Sequence, residues 1–184
     1  FDAQGKPVYY SPYNGKIQDG YMYTDNGFWD TFRAVHPLFT LLYPEVSERV
    51  TQSILNAYDE SGFMPEWASP GHRECMIGNN SISLLTDAWM KGIRTICPEK
   101  ALEAMIHQTE ARHPGISSVG RDGFGYYDRL GYVPYPEVHE ATAKTLEYAY
   151  ADWCVARFAD SIGRKEIADT YYRKALNYRN LYYP

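Results

Sequence analysis

The 184-residue chain has no run of five basic residues, and its 18 Lys and Arg are outnumbered by 23 Asp and Glu, for a formal net charge of −5. The electrostatic footprint of a nucleic-acid binder is therefore missing. No apolar stretch approaches the ~18 residues that a membrane-spanning helix needs, and no signal peptide is visible. The first residue is Phe1 and not Met, so the start reads as processed, truncated or excised from something longer. Cysteine is scarce: Cys75, Cys97 and Cys154 lie far apart without CxxC spacing, which argues against a disulfide framework or a structural zinc site. His36, His107 and His113 show no HExxH or other ligand spacing, and neither a glycine-rich phosphate loop nor a GxSxG occurs. Zinc-hydrolase, nucleotide-binding and serine-hydrolase readings have no motif to rest on.

Aromatic residues are abundant, at 16% of the chain, and 18 residues are Tyr. Tyr combines a large apolar face with one polar tip, which suits sugar binding and wet interfaces and serves equally to cap a helical core. With 45% hydrophobic residues, a chain of this length can bury roughly 70% of its unfolded surface in a sizeable core.

Residues 1–27 are rich in Gly and Pro with short β-prone runs such as Val8, Tyr9 and Tyr10, and read as a loop with one hairpin. Residues 28–184 read as helical. The first helix is expected from Trp29 or Asp30 to about Leu42, with a kink or break at Pro37. The second runs from Pro44 to about Glu60, placing Val50, Ile54 and Ala57 on one face, with Gly62 as its stop. The third covers Ser81–Lys91 and ends at Gly92; the fourth covers Pro98 to about Ala111. The fifth spans roughly Glu140–Ile162, with Leu146, Ala149, Trp153, Ala156 and Ala159 at helical spacing, and Gly163 stops it. The sixth, about Arg164–Leu181, repeats the pattern with Ala168, Tyr171, Ala175 and Tyr178.

These helices form three pairs, with short connections inside a pair and long loops, 63–80 and 112–138, between pairs. In a chain of antiparallel helices, the loops that lead into the first, third and fifth helices all lie on one face. Loops gathered on a rigid scaffold are where binding and catalysis sit. Two all-α architectures fit: an α-solenoid, or part of an (α/α)6 toroid in which the odd helices line the centre. The absence of a self-similar repeat and the length of the loops favour the toroid, of which this chain holds half.

Three polar, aromatic clusters fall on the long-loop face. The first, Gly27–Arg33, sets Asp30 and Arg33 at i, i+3, where they can pair, beside Trp29 as a stacking plane. Asp30 either caps the helix or offers a carboxylate to neighbouring sugar hydroxyls. The second, Met64–Ser81, crowds Glu66, Trp67, His72 and Arg73 between prolines and glycines; it is either a binding loop or an Ω-loop whose polar groups satisfy one another. Asn79 and Asn80 can cap the third helix. The third cluster, Gly131–Glu140, leads into Lys144, Thr145, Glu147, Tyr148, Tyr150 and Asp152, of which those near the helix start are better candidates than Asp152. The same spacing also describes an ordinary amphipathic helix.

The segments Gly27-Phe28-Trp29-Asp30-Thr31-Phe32-Arg33, Met64-Pro65-Glu66-Trp67 with Gly71 and Cys75-Met76-Ile77-Gly78, and Lys144-Thr145-Leu146-Glu147-Tyr148-Ala149-Tyr150 with Asp152-Trp153-Cys154 together resemble glycoside hydrolase family 92. Its members are exo-acting, inverting, calcium-dependent α-mannosidases. The resemblance implies the N-terminal half of an α/α barrel that in the family follows a β-sandwich domain. It implies that Asp30 holds hydroxyls of the terminal mannose, and that Trp29, Arg33, Glu66, Trp67 and Arg73 edge the same pocket. The resemblance also implies that the general acid, the catalytic base and most of the calcium site lie C-terminal to Pro184, so no catalytic or metal-binding residue is assigned in this chain.

The implied substrate is a mannose-containing glycan, with α-1,2-linked mannose first in mind. The implied partners are the missing N- and C-terminal parts of the same enzyme, or a second copy through self-association. The implied location is exported, in a glycan-foraging bacterium, and the isolated chain is expected to be inactive. Two other readings fit the residues: a stand-alone helical module that binds a peptide or glycan, and a different α/α-barrel glycosidase or lyase.

Overall fold

The computed structural model describes residues 1–182; Tyr183 and Pro184, the end of the expected helical segment, lie outside the described residues. Helices carry the fold and strands are short, as the apolar periodicity requires. The first expected helix is divided into α1 (Phe28–Thr31) and α2 (Val35–Leu42). The break falls at residues 32–34 and not at Pro37. Pro37 is the third residue of α2, where its missing N–H has no intrahelical partner to lose, so it belongs to a helix start.

The helices α3 (Pro44–Ser61), α4 (Asn80–Met90) and α5 (Pro98–Glu110) lie within a residue of expectation. Proline fixes the first turn of α3 and of α5. Left-handed Gly62 closes α3, its N–H donating to the Tyr58 carbonyl at 2.7 Å. Val50, Ile54 and Ala57 are buried on one face of α3 as expected. The loop after α5 contains a helix that hydrophobic periodicity does not reveal, α6 (Phe124–Leu130), flanked by left-handed Gly123 and Gly131.

The long α7 (Ala141–Ser161) and α8 (Lys165–Lys174) close the chain, and α8 tightens into a 3-10 turn over Ala175–Leu181. That tightening advances the chain by about 120° per residue in place of about 100°. Ala168, Tyr171 and Ala175 are buried as expected, while Tyr178 is rotated out and exposed. On α7, Ala149, Ala156 and Ala159 are buried, but Leu146 and Trp153 are 42% and 46% exposed. The small residues let α4 and α8 approach α7 closely. The large ones stand on the side those helices do not cover.

Side by side, α2 packs on α4 and α4 on α7, while α3 and α5 pack against each other and on α4 and α7 respectively. This is a section of a helical toroid, with the first, third and fifth expected helices adjacent. Ile54, Leu85, Trp89, Met105, Val155 and Phe158 meet in the main core. The Trp89 and Phe158 rings are 5.2 Å apart, and the indole N–H donates to Ser161 Oγ at 2.9 Å. A second core under the long loop gathers Tyr127, Val133, Val138, Ala141 and Tyr148.

The N-terminal segment forms the expected hairpin: β1 (Val8–Tyr10) pairs antiparallel with β2 (Ile17–Asp19), Tyr9 opposite Gln18. Tyr9 and Ser11 donate their hydroxyls to the two oxygens of Glu60, which fastens the hairpin to the last turn of α3. A second, two-residue pairing joins β3 (Asn26–Gly27) to β4 (Trp67–Ala68). It brings the first and second sequence clusters together. No described helix is long and apolar enough to cross a membrane, and Cys75, Cys97 and Cys154 are unpaired.

Candidate functional site

The site begins at α1, a single turn that presents Trp29 and Asp30. Asp30 is exposed, and its carboxylate has no hydrogen bond or ion pair among the described residues. It neither caps the helix nor pairs with Arg33. The chain leaves the helix at Phe32, so the i, i+3 alignment that would join Asp30 to Arg33 is lost. Arg33 folds back instead, its guanidinium 4.3 Å from the centre of the Trp29 ring and 4.4 Å from that of Phe32. Its other neighbour is Glu147 of α7, at 3.9 Å. One face of the indole expected to stack on sugar is thus occupied by a cation.

Burial pushes the Glu147 carboxyl up from its ordinary range, while the Arg33 guanidinium and a hydrogen bond from Trp29 pull it down. His36, behind α1, sits edge-on to Phe28 and Phe39 with ring centres 5.9 and 5.8 Å away, and burial lowers it to about 4. It is a neutral, structural histidine.

Glu66 was expected at the edge of the sugar pocket; the structure buries it, at 3% exposure. Its oxygens accept from the Ser81 amide at 3.1 Å, the Ser81 hydroxyl at 2.8 Å and Gln108 Nε2 at 3.0 Å. Its backbone carbonyl accepts from Phe28 N–H at 3.1 Å. Burial pushes the carboxyl up to about 8 against the pull of those donors. Glu66 therefore joins the starts of α1 and α4 to α5 and is a pin inside the protein. It also takes the capping role expected of Asn79 and Asn80. Asn79 spends its amide on Gly120 and Arg121, and Asn80 on Ile77.

Trp67 lies flat on Gly27, where any Cβ would overlap its ring. Arg73 is exposed but tethered, its Nε donating to the Ser69 carbonyl at 2.6 Å. The loop 63–80 is thus braced by hydrogen bonds to its own backbone and to neighbouring segments, and Trp67 stays partly exposed beside α1.

Behind this surface, Arg121 reaches from the Gly-rich loop into the core. Its Nε donates to Asn79 Oδ1 at 2.7 Å and its Nη2 to the Tyr148 carbonyl at 3.0 Å. The same Nη2 lies 2.8 Å from Asp152 Oδ1, too poorly aligned for a hydrogen bond, while Tyr127 donates to Asp152 Oδ2 at 2.8 Å. Asp152 is structural. Arg121 escapes sequence reading because nothing in Gly120-Arg121-Asp122-Gly123 announces that its side chain points inward. Nearer the surface, Asp122 pairs with Lys144 and Arg112, each at 3.0 Å.

Chemically, the exposed groups offer a partner-free carboxylate, a guanidinium and aromatic edges, a set that hydrogen-bonds hydroxyls and packs on ring C–H groups. Among the described residues no three His, Cys, Asp or Glu side chains gather to hold a metal ion.

All of residues 1–184 match the glycosyl hydrolase family 92 catalytic domain. A family GH92 inverting mannosidase from Bacteroides thetaiotaomicron is 83% identical and superposes with a TM-score of 0.99, over 100% of this chain and 25% of that one. A family GH92 alpha-mannosidase from the same organism, solved with mannoimidazole, is 34% identical with a TM-score of 0.82, over 91% of this chain and 22% of that one. A curated relative, an uncharacterized secreted glycosidase of Arthroderma benhamiae, is 26% identical over 139 residues, which are 70% of this chain and 18% of the relative. The chain spans a quarter or less of the length of these proteins. Matched along its whole length and superimposable on two solved members, the chain belongs to glycosyl hydrolase family 92.

Proposed function

We propose that the chain is a section of the catalytic domain of an exo-acting, inverting α-mannosidase and contributes groups that hold the terminal sugar. The observation that carries this reading is Asp30, an exposed carboxylate beside Trp29 and Arg33 with no partner among the described residues, in a chain 83% identical to an inverting mannosidase. In this reading Asp30 accepts hydrogen bonds from two neighbouring hydroxyls, and Trp29 and Trp67 pack on the ring. Arg33 swings off the indole or holds a hydroxyl oxygen. Glu66 and Arg73 act behind them, Glu66 by fixing α1 and Arg73 by bracing its loop.

Inversion needs an acid and a base about 6.5–9.5 Å apart, with the attacking water between base and sugar. We assign both carboxylates to the parent enzyme outside this chain. Calcium belongs to the same proposal, and its ligands are assigned there too, as the family resemblance implies; bound, it would orient sugar hydroxyls and act as a Lewis acid. The proposed substrate is α-1,2-linked mannose of a glycan, and the proposed location is exported from a bacterium.

The experiment is release of mannose from α-1,2-linked mannobiose, with and without EDTA, by this chain alone and by the complete parent enzyme. Release only by the parent, and only with calcium, is the expected result. Release by the isolated chain would move the acid and base into it, with Glu66, Glu74, Glu140 and Glu147 to test. Release by neither would leave a glycan- or peptide-binding module as the better reading.

A further inference from the structure

The Gly-rich loop after α5 and the helix α6 bring three arginines to one depression. Arg112 and Gly120 face each other in an antiparallel β-bridge, and the Arg121 N–H donates to the Ala111 carbonyl at 2.7 Å. The approach leaves no room for a side chain: a Cβ on Gly120, whose φ is +74°, would lie 2.3 Å from that carbonyl oxygen. Arg112 and Arg121 are thereby held on neighbouring strands, and α6 adds Arg129. With Phe124 and Tyr126 they line a pocket of about 540 Å³, within the roughly 300–1,000 Å³ of small-molecule sites.

Arg121 is the fixed member, its side chain 1% exposed. Its Nε and Nη2 are spent inside the protein, on Asn79, the Tyr148 carbonyl and Asp152. Its Nη1 has no hydrogen bond among the described residues, yet it is not sealed in the interior as the partnerless Asp152 Oδ1 is. A buried guanidinium thus keeps one unused N–H group for the pocket it lines. Arg112 gives its Nε to Asp122 at 3.0 Å and is otherwise open, with a side chain 53% exposed. Arg129 lies 5.7 Å from the centre of the Tyr126 ring and meets no carboxylate among the described residues; its neighbour Asp128 is turned to Lys174, at 3.3 Å.

Asp122 also serves Lys144. Arg112, Arg121, Arg129 and Lys144 therefore share only Asp122 and Asp152, in a chain whose net charge is −5, and no carboxylate lines the pocket. Such a surplus of guanidinium repels a metal cation and matches an oxyanion, which planar N–H forks grip by paired, charge-assisted hydrogen bonds. The Phe124 and Tyr126 rings supply an apolar wall suited to the C–H face of a sugar.

We infer that this pocket binds an oxyanion, phosphate or carboxylate, carried on a sugar ring. Arg121 Nη1, Arg112 and Arg129 hold the oxyanion, and the two aromatic rings hold the sugar. The pocket shares no residue with the Trp29–Asp30–Arg33 cluster, and the inference does not depend on which glycosidic bond the parent enzyme cleaves.

The test is calorimetric titration of the complete parent enzyme with glucose 6-phosphate, glucuronate, inorganic phosphate and glucose, in wild type, Arg129→Met and Arg112→Met. Both replaced side chains are exposed, so an unchanged Tm certifies the fold of each variant. The expected result is that the two acidic sugars bind and glucose does not. Their Kd should rise about tenfold in Arg129→Met, a loss of about 1.4 kcal/mol, and at least as much in Arg112→Met, which also frees the Asp122 carboxylate. Added salt should weaken binding in wild type. Inorganic phosphate bound as tightly as glucose 6-phosphate would overturn the role of the aromatic wall and leave the bare ion as the ligand. No binding of either acidic sugar to wild type, equal binding of glucose, or a Kd unmoved in both variants overturns the site, and each leaves the mannosidase reading as it stands.

Discussion

Arg121 and Asp152 form an ion pair at 2.8 Å with side chains 1% and 0% exposed. The pair joins the Gly-rich loop after α5 to the middle of α7. Removing one partner of a buried pair strands the other charge, at a cost of about 3–5 kcal/mol. Arg121→Met is therefore expected to lower the Tm of the complete enzyme by several degrees, and Asp152→Leu added to it should recover part of the loss. A Tm unmoved by Arg121→Met would show that the pair holds nothing together.

Glu66 gives a pH dependence of known sign. Its folded value of about 8 lies above the 4.5 of the unfolded chain, so between those pH values the folded state binds the extra proton. Stability from this group is present below pH 4.5 and is lost as pH rises through 8. Glu66→Gln carries no such loss. Its stability relative to wild type, followed by Tm, should rise from pH 5 to pH 8 by on the order of a few kcal/mol; a pH-independent difference would mean that Glu66 is ionised throughout.

Asp30→Ala separates recognition from folding. Among the described residues the carboxylate has no partner, so Tm should hold to within about 0.5 kcal/mol of stability. In the complete enzyme kcat/KM on mannobiose should fall at least about a hundredfold, or ~2.7 kcal/mol of transition-state stabilisation. Near-normal kinetics would remove Asp30 from the site.

Gly27→Ala tests the seat of Trp67. The added methyl would overlap the indole ring, and overpacking of this kind costs about 1–3 kcal/mol. Both Tm and kcat/KM should drop, because β3 carries the strain directly into α1. Full activity with a normal Tm would mean that Trp67 moves aside freely and does not shape the pocket.

The helix framework was legible where one residue decides a boundary. Pro44 and Pro98 open α3 and α5, and Gly62, Gly92 and Gly163 mark stops, because φ at these positions is fixed by covalent geometry or by the lack of a Cβ. Pro37 misled, since a proline in a first turn and a proline at a kink look alike in sequence. The helix α6 was hidden because its seven residues include a glycine and lie between two more. Leu146 and Trp153 looked like core residues, but burial on α7 depends on which neighbours flank it and not on apolar character. The exposed cluster at Asp30 and Trp29 was legible from residue type. The inward turn of Glu66 and the Arg121–Asp152 pair were not, because charged residues are read as solvent-facing until a partner from a distant segment is known.

Because Glu66 binds the starts of α1 and α4 and the side of α5 at once, the mount of Asp30 is stiff. Epimeric hexoses differ in the direction of a single hydroxyl. A carboxylate on a yielding loop would follow either isomer at little cost, whereas one on a mount that cannot yield must lose a hydrogen bond to the wrong one. In the proposed reading, a glutamate that touches no sugar thereby sets how well the enzyme tells one epimer from another.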